Sequence, residues 1–316
     1  MTQPPSSPGS LPAEEAASGF GRPGGTGKES VLNFGCEGEQ LVGILAEPAE
    51  HAPAEVGVLI IVGGPQYRAG SHRQFTLLAR HLAANGYAAL RFDYRSMGDS
   101  TGRVDEKRDF LGVDADIAAA IAALLAARPA LKRVVLWGLC DAASAALLYL
   151  ASTRDPRVAG VALLNPWVRS AATLAQTHVK HYYWRRLREP EFWRKLLRGG
   201  VGLTALRTLG SNLRLARGGG ATTDSRSFQD RMADGLRAFG GPVLLILSGE
   251  DYTAKEFLGH AAGATGWAGL IEASNVTRID LAIADHTFSR ISDADAVEQA
   301  VSAWANSVND SSRARQ

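Results

Sequence analysis

The chain has 316 residues, 46% hydrophobic and 21% charged, with a formal net charge of +2, enough for one large α/β domain or two small ones. So small a net charge gives no basis for nucleic-acid binding across the surface; no apolar run approaches the ~20 residues that span a bilayer, and the first residues lack a basic start followed by an apolar core. Only Cys36 and Cys140 are present, in unrelated contexts, which excludes a disulfide framework or cysteine metal cluster; the expectation is a cytoplasmic protein with no metal, no cofactor and no stable membrane insertion.

Residues 1–28, rich in Pro, Ser, Gly and Ala, read as a disordered tail. From 31 to 47, two segments of alternating apolar residues flank Glu37-Gly38-Glu39, the pattern of a β-hairpin. Buried-strand runs and helical periods then alternate: strand 56–62, helix 74–85, strand 87–93, helix 111–127 ended by Arg128-Pro129, strand 133–137, helix 141 to about 153, and strand 158–164. Such alternation implies a mostly parallel central sheet with helices on both faces. After Asn165-Pro166 it stops, and the chain becomes basic and aromatic, with Lys180, Tyr182, Tyr183, Trp184, Arg185, Arg186 and Trp193. Past Gly240-Gly241-Pro242 it resumes with strand 243–247, a helix near 255–262, strand 276–281 and a closing helix from about 291 to 308. The organisation is therefore a core in two parts, 29–165 and 241–310, interrupted by a helical cap insertion at 166–240.

The chemistry concentrates where the apolar run Val134-Val135-Leu136-Trp137 breaks at Gly138-Leu139-Cys140-Asp141-Ala142 and continues as an Ala-rich helix. This is the pattern of a nucleophile elbow, with Cys140 in the serine position of G-x-S-x-G and Ala142 in place of the second glycine. Helix N-termini and imidazolium groups favour a thiolate there; the alternative is that Cys140 is a small buried hydrophobe. A nucleophile needs a base and the base an orienting acid. Ser248-Gly249-Glu250-Asp251 follows strand 243–247, and Ala284-Asp285-His286 follows strand 276–281. Of seven histidines, His286 alone stands in a loop after the last strand; His51 precedes the first parallel strand, His81 and His260 lie in helices, and His178 and His181 in the cap. Asp251 is preferred as the acid, with Glu250 and Asp285 open alternatives at this spacing.

Gly63-Gly64-Pro65 after strand 56–62 and Asp93-Tyr94-Arg95-Ser96-Met97-Gly98-Asp99-Ser100 after strand 87–93 complete four motifs in order. Together they resemble the α/β-hydrolase superfamily, in which the nucleophile, acid and histidine occur in this sequence order. That resemblance implies backbone amides of Gly64 and Asp141 as the oxyanion hole and a site-shaping part for the Asp93 loop. More narrowly, Gly63 to Arg68, Gly70 to Phe75 and the Cys140 elbow resemble the exosortase A system-associated hydrolases of bacterial exopolysaccharide gene clusters. Tyr67, Arg68, His72 and Arg73, just beyond the oxyanion segment, are candidates for binding a polar or anionic substrate, or else a solvated loop and helix start. The implied activity is cysteine acyl hydrolysis of an ester or thioester by Cys140, His286 and Asp251 on a small-molecule or carrier-linked acyl substrate. Its rivals are an acyltransferase using the same acyl-enzyme and a non-catalytic hydrolase-like binding protein. Nothing in the chain fixes an oligomeric state.

Overall fold

The computed structural model describes residues 27–49, 54–63, 66–103, 110–169 and 226–313. Their strands are β1 (Lys28–Cys36), β2 (Glu39–Glu47), β3 (Val56–Ile61), β4 (Ala89–Phe92), β5 (Arg133–Leu139), β6 (Val158–Leu164), β7 (Val243–Ser248) and β8 (Val276–Leu281). They form one sheet in the order β1-β2-β4-β3-β5-β6-β7-β8. The β1–β2 hairpin and the β2–β4 pair are antiparallel, and every other pair is parallel. β3, β4, β6 and β7 are buried along their whole length, as parallel strands covered on both faces must be, which is why they read as continuous apolar runs. β8 carries Thr277, Arg278 and Asp280 and is largely open; charged side chains suit an edge strand because they discourage pairing with another chain.

Six α-helices cover the sheet among the described residues: α1 (Gln74–Ala84), α2 (Asp114–Ala127), α3 (Asp141–Thr153), α4 (Phe228–Ala238), α5 (Tyr252–Gly263) and α6 (Ile291–Arg313). One apolar layer joins Phe75, Leu78 and Leu82 of α1 to Val297, Val301 and Trp304 of α6 across Val58, Ile60, Val135 and Trp137. The opposite layer joins Ile117 and Ile121 of α2, Leu147 of α3, Met232 and Leu236 of α4 and Phe257 of α5 to Leu59, Ile61, Leu136, Val161 and Leu245. Because β3 lies between β4 and β5, the chain winds one way from β3 to β4 and the other way from β5 onward. The crevice beyond the carboxyl ends of β3 and β5 is thus the switch point of the sheet, where open α/β folds hold their ligands.

Several boundaries differ from the sequence reading. The helix expected from 111 begins at Asp114, after a 3₁₀ turn at Phe110–Gly112, with Asp114 and Asp116 complementing the positive end of α2. The strand expected over 87–93 is paired only over Ala89–Phe92, and the last helix runs on to Arg313. The segment 166–240, read as cap, ends in α4, whose Met232, Ala233 and Leu236 pack in the same apolar layer as α3. The rest of that insertion, 170–225, and nearly all of the tail read over 1–28 lie outside the described residues. No helix among the described residues is long and apolar enough to cross a membrane.

Candidate active site

The elbow is built by β5 and α3. β5 ends at Leu139, Cys140 takes φ 63° and ψ −124°, and α3 starts at Asp141. A positive φ is strained for any residue with a Cβ, and the surroundings hold it there: Cys140 N–H donates to Leu164 carbonyl at 2.8 Å, while Cys140 carbonyl accepts from Ala143 N–H at 3.1 Å and Trp167 N–H at 3.2 Å. Two glycines make room for the turn. A Cβ on Gly138 would lie 2.6 Å from Ala142 carbonyl, and one on Gly63 would lie 2.2 Å from Asp141 Oδ1 and 2.8 Å from Leu139 carbonyl. Ala142, where the G-x-S-x-G pattern has its second glycine, is buried without difficulty.

Gly63 brings the exit of β3 directly against the elbow. Gly64, the expected partner donor of the oxyanion hole, lies outside the described residues. Asp141 opens α3, where first-turn amides point out of the helix end in the manner that receives anions.

Asp251 is the N-cap of α5: its Oδ1 accepts from Thr253 N–H at 3.0 Å and its Oδ2 from Ala254 N–H at 3.2 Å. The same Oδ2 accepts from Nδ1 of His286 at 2.8 Å. Cys140 is the other side chain that raises the imidazole's basicity, and with Nδ1 engaged by Asp251 it is Nε2 that is left for it. Three residues far apart in sequence therefore form one line, Asp251 to His286 to Cys140. Glu250 points to solvent, and Asp285 accepts from Thr287 N–H and Ser289 N–H, both at 3.0 Å, within its own loop.

The electrostatics follow from this line. Burial opposes ionisation of Asp251, but the hydrogen bonds from His286, Thr253 and Ala254 outweigh it and hold the carboxyl below its ordinary 3.8. His286 is raised from 6.5 to about 10, first by its bond to Asp251 and next by Cys140, against an opposing effect of burial. Its side chain is 35% exposed while that of Asp251 is 7% exposed, so the base is open to solvent and the acid is not. A histidine raised on folding stabilises the native state fully below pH 6.5 and loses that contribution as pH climbs through about 10. Urea unfolding of wild type against His286→Gln should accordingly show a stability difference that is largest at pH 6 and shrinks steadily from about pH 6.5 to 10; a constant difference would mean the imidazole is not held as a cation.

The residues expected to bind substrate are distributed unevenly. Arg68 pairs with Asp93 and Asp99 and also donates its backbone N–H to Asp93 Oδ1 at 2.7 Å. Its charge is thereby committed to the Asp93 loop, which it ties to the exit of β3. Tyr67 is 54% exposed, and His72 and Arg73, both with positive φ (52° and 62°), form an exposed turn leading into α1. The Asp93 loop is itself fixed: Ser100 Oγ donates to Asp93 carbonyl at 2.8 Å and accepts from Val42 N–H at 2.9 Å.

Past β6 the chain folds back over the elbow. Ser144 Oγ donates to Trp167 carbonyl at 2.6 Å, and the Arg169 guanidinium lies 4.7 Å from the Trp167 ring centre while pairing with Glu256 of α5 at 2.6 Å. This tether, together with Asn165 and Ser248 discussed below, has no counterpart in the sequence reading. The visible signal was a polar residue closing the apolar run 158–164 immediately before Pro166.

A β3 glycine against a strained elbow, and an acid and histidine from the ends of β7 and β8, complete the arrangement. The chain has the α/β-hydrolase fold. Comparisons with known proteins agree: the family model for serine aminopeptidase, S33 (Hydrolase_4) matches residues 55–197, a span that contains the elbow but not Asp251 or His286. That description names a serine enzyme, whereas Cys140 stands at this elbow. None of the curated proteins compared with the chain matches it. Solved structures with this hydrolase fold include the esterase Pf2001 of Pyrococcus furiosus, at 15% identity and TM-score 0.56 over 87% of this chain and 91% of the other. Est1E of Butyrivibrio proteoclasticus, solved with ferulic acid bound, shares 16% identity with TM-score 0.56 over 86% and 97%. A dienelactone hydrolase of Anabaena variabilis shares 17% with TM-score 0.54 over 88% and 96%. Among the described residues no group of three or more His, Cys, Asp or Glu side chains is placed to hold a metal ion.

Proposed function

We propose that the protein is a cysteine-dependent acyl hydrolase that cleaves esters or thioesters, with Cys140 as nucleophile, His286 as acid and base, and Asp251 as the group that orients His286. The observation that carries this reading is the 2.8 Å bond from His286 Nδ1 to Asp251 Oδ2, on a histidine whose basicity Cys140 at the strained elbow also raises. His286 takes the Cys140 proton, giving a thiolate beside an imidazolium. The Cys140 Sγ anion attacks the acyl carbon, and its C=O π pair moves onto oxygen. The amides of Gly64 and Asp141 receive that oxyanion. Collapse breaks the bond to the leaving oxygen or sulfur, which takes the Nε2 proton, leaving an acyl thioester and a neutral imidazole.

Acylation also removes the anion that helped raise His286. The imidazole falls back toward ordinary basicity at the moment it must take a proton from water. Hydroxide then attacks the thioester, the acid leaves, and the thiolate and imidazolium are restored. Tyr67, His72 and Arg73, exposed in the segment that follows β3, are proposed to contact the leaving group, small or carrier-linked. The motif resemblance supports a setting among exosortase and exopolysaccharide systems, and the esterase neighbours support ester bonds as the target.

The test is a panel of p-nitrophenyl esters and acyl-coenzyme A thioesters followed by free-acid release and intact mass. Acid release with an acyl adduct mapped to Cys140 is the expected result. An adduct without release would turn the reading to acyl transfer awaiting its acceptor, and neither signal anywhere in the panel would favour a binding protein.

A further inference from the structure

β6 ends at Asn165, a position none of the catalytic roles above uses. Its backbone has φ 44°, a left-handed conformation that non-glycine residues other than Asn and Asp rarely adopt, and it does so directly before Pro166, where sterics favour extended backbone. Outliers of this kind persist where the surrounding structure enforces them, often at functional sites. Here the enforcement is visible. The side chain is wholly buried. Its Oδ1 accepts from Ser248 N–H at 2.8 Å, and its Nδ2 donates to Ser248 Oγ at 2.9 Å and to the carbonyl of His286 at 3.3 Å. Ser248 Oγ in turn donates to Asp285 carbonyl at 2.9 Å. The Asn165 N–H donates to Ile246 carbonyl at 3.1 Å, and one residue earlier Leu164 carbonyl receives Cys140 N–H at 2.8 Å. One dipeptide thus holds the elbow, the end of β7 and the histidine loop together.

We infer that Asn165, relayed through Ser248, is a positioning residue that fixes the backbone of Asp285 and His286 so that the imidazole spans from Asp251 to Cys140. The inference rests on the catalytic reading of those three residues. Asn165 itself touches no reacting atom. Its amide meets one donor and two acceptors at once, a combination that a carboxylate, a hydroxyl or an apolar group of the same size cannot offer.

Asn165→Asp keeps the size and backbone preference but puts an acceptor against Ser248 Oγ and the His286 carbonyl, and Asn165→Gly keeps the backbone freedom without the clamp. Ser248→Ala removes only the Oγ relay and serves if either Asn165 variant fails to fold. Asn309→Ala is the control: Asn309 is also buried and its Oδ1 accepts Glu55 N–H at 3.1 Å beside the start of β3, at the other end of the sheet. The readouts are kcat and KM on the best ester of the panel and the NMR titration of His286, the group faced by Asp251 and Cys140.

Both Asn165 variants should lose about 10- to 100-fold in kcat, as misplacement by roughly an ångström does, with KM within about threefold. The His286 titration should move down as its contact with Asp251 loosens, while Asn309→Ala keeps wild-type kcat and titration. Folded Asn165 or Ser248 variants with wild-type kcat and wild-type titration would overturn the inference, as would an Asn309 control that behaves identically to them. If no ester is turned over at all, the titration still decides: a shift supports the clamp while the acyl-chemistry reading falls, and no shift overturns the clamp.

Discussion

Cys140→Ala is expected to abolish turnover of every substrate the wild type cleaves, a fall on the order of 10⁶-fold of the kind seen when an activated nucleophile is deleted from a triad. The fold should survive, because alanine keeps the Cβ and so adds no strain at φ 63°, and Cys140 lies only at the edge of its apolar layer. Cys140→Ser is the sharper companion. A serine hydroxyl fits the elbow but does not stand as an anion beside an imidazolium. One of the two groups that raise His286 to about 10 disappears, and the ring drops toward 6.5. Residual activity in the serine variant should then rise with pH as the neutral imidazole becomes available as a base. Parallel kcat/KM profiles from pH 5 to 10, with intact mass to follow the acyl adduct, separate these cases. Wild-type turnover by Cys140→Ala would remove the elbow from the chemistry altogether.

The parts of this site that sequence makes legible are those written in local periodicity. The runs at 141–153 and 158–164 coincide with α3 and β6, because an Ala-rich helical stretch behind a glycine-bounded strand leaves little else to form. Periodicity reports burial rather than pairing, which is why 87–93 overshoots: Tyr87, Ala88 and Asp93 are buried but stand outside the ladders of β4. α4 was concealed for another reason. Phe228, Met232 and Leu236 have helical spacing, yet they follow a basic, aromatic stretch whose composition dominated the reading. Arg68 looked available for an anion because Asp93 and Asp99, which neutralise it, lie 25 and 31 residues away. Spacing favours Asp251 as the acid but leaves Glu250 and Asp285 open, since which carboxylate turns toward His286 is a question of side-chain direction at the ends of two strands. The clamp between Asn165 and Ser248 joins residues 83 apart through an amide that matters only once both strands are side by side.

Asp251→Asn should cost about 10⁴-fold in kcat while leaving the protein folded, the size of effect produced by the same substitution in a serine triad. Asparagine remains a good N-cap, so its Oδ1 can still accept the Thr253 N–H at the start of α5. What it loses is the charge and the second acceptor. If the amide Nδ2 faces His286, it offers a donor to Nδ1, which must then give up its proton and become the acceptor; Nε2 takes the proton and cannot receive one from Cys140 or water. The imidazole also loses the largest cause of its elevation, so its titration should fall toward 6.5 in the variant, visible by NMR. Asp251→Ala adds the loss of the cap, about 1 kcal/mol of stability, to what both variants lose: turnover, and at neutral pH the stability that the raised imidazole contributes. The alanine variant should therefore be the less stable of the two in thermal unfolding. Full activity in Asp251→Asn would transfer the orienting role to Glu250 or Asp285 and require the loop around His286 to turn away from the arrangement described.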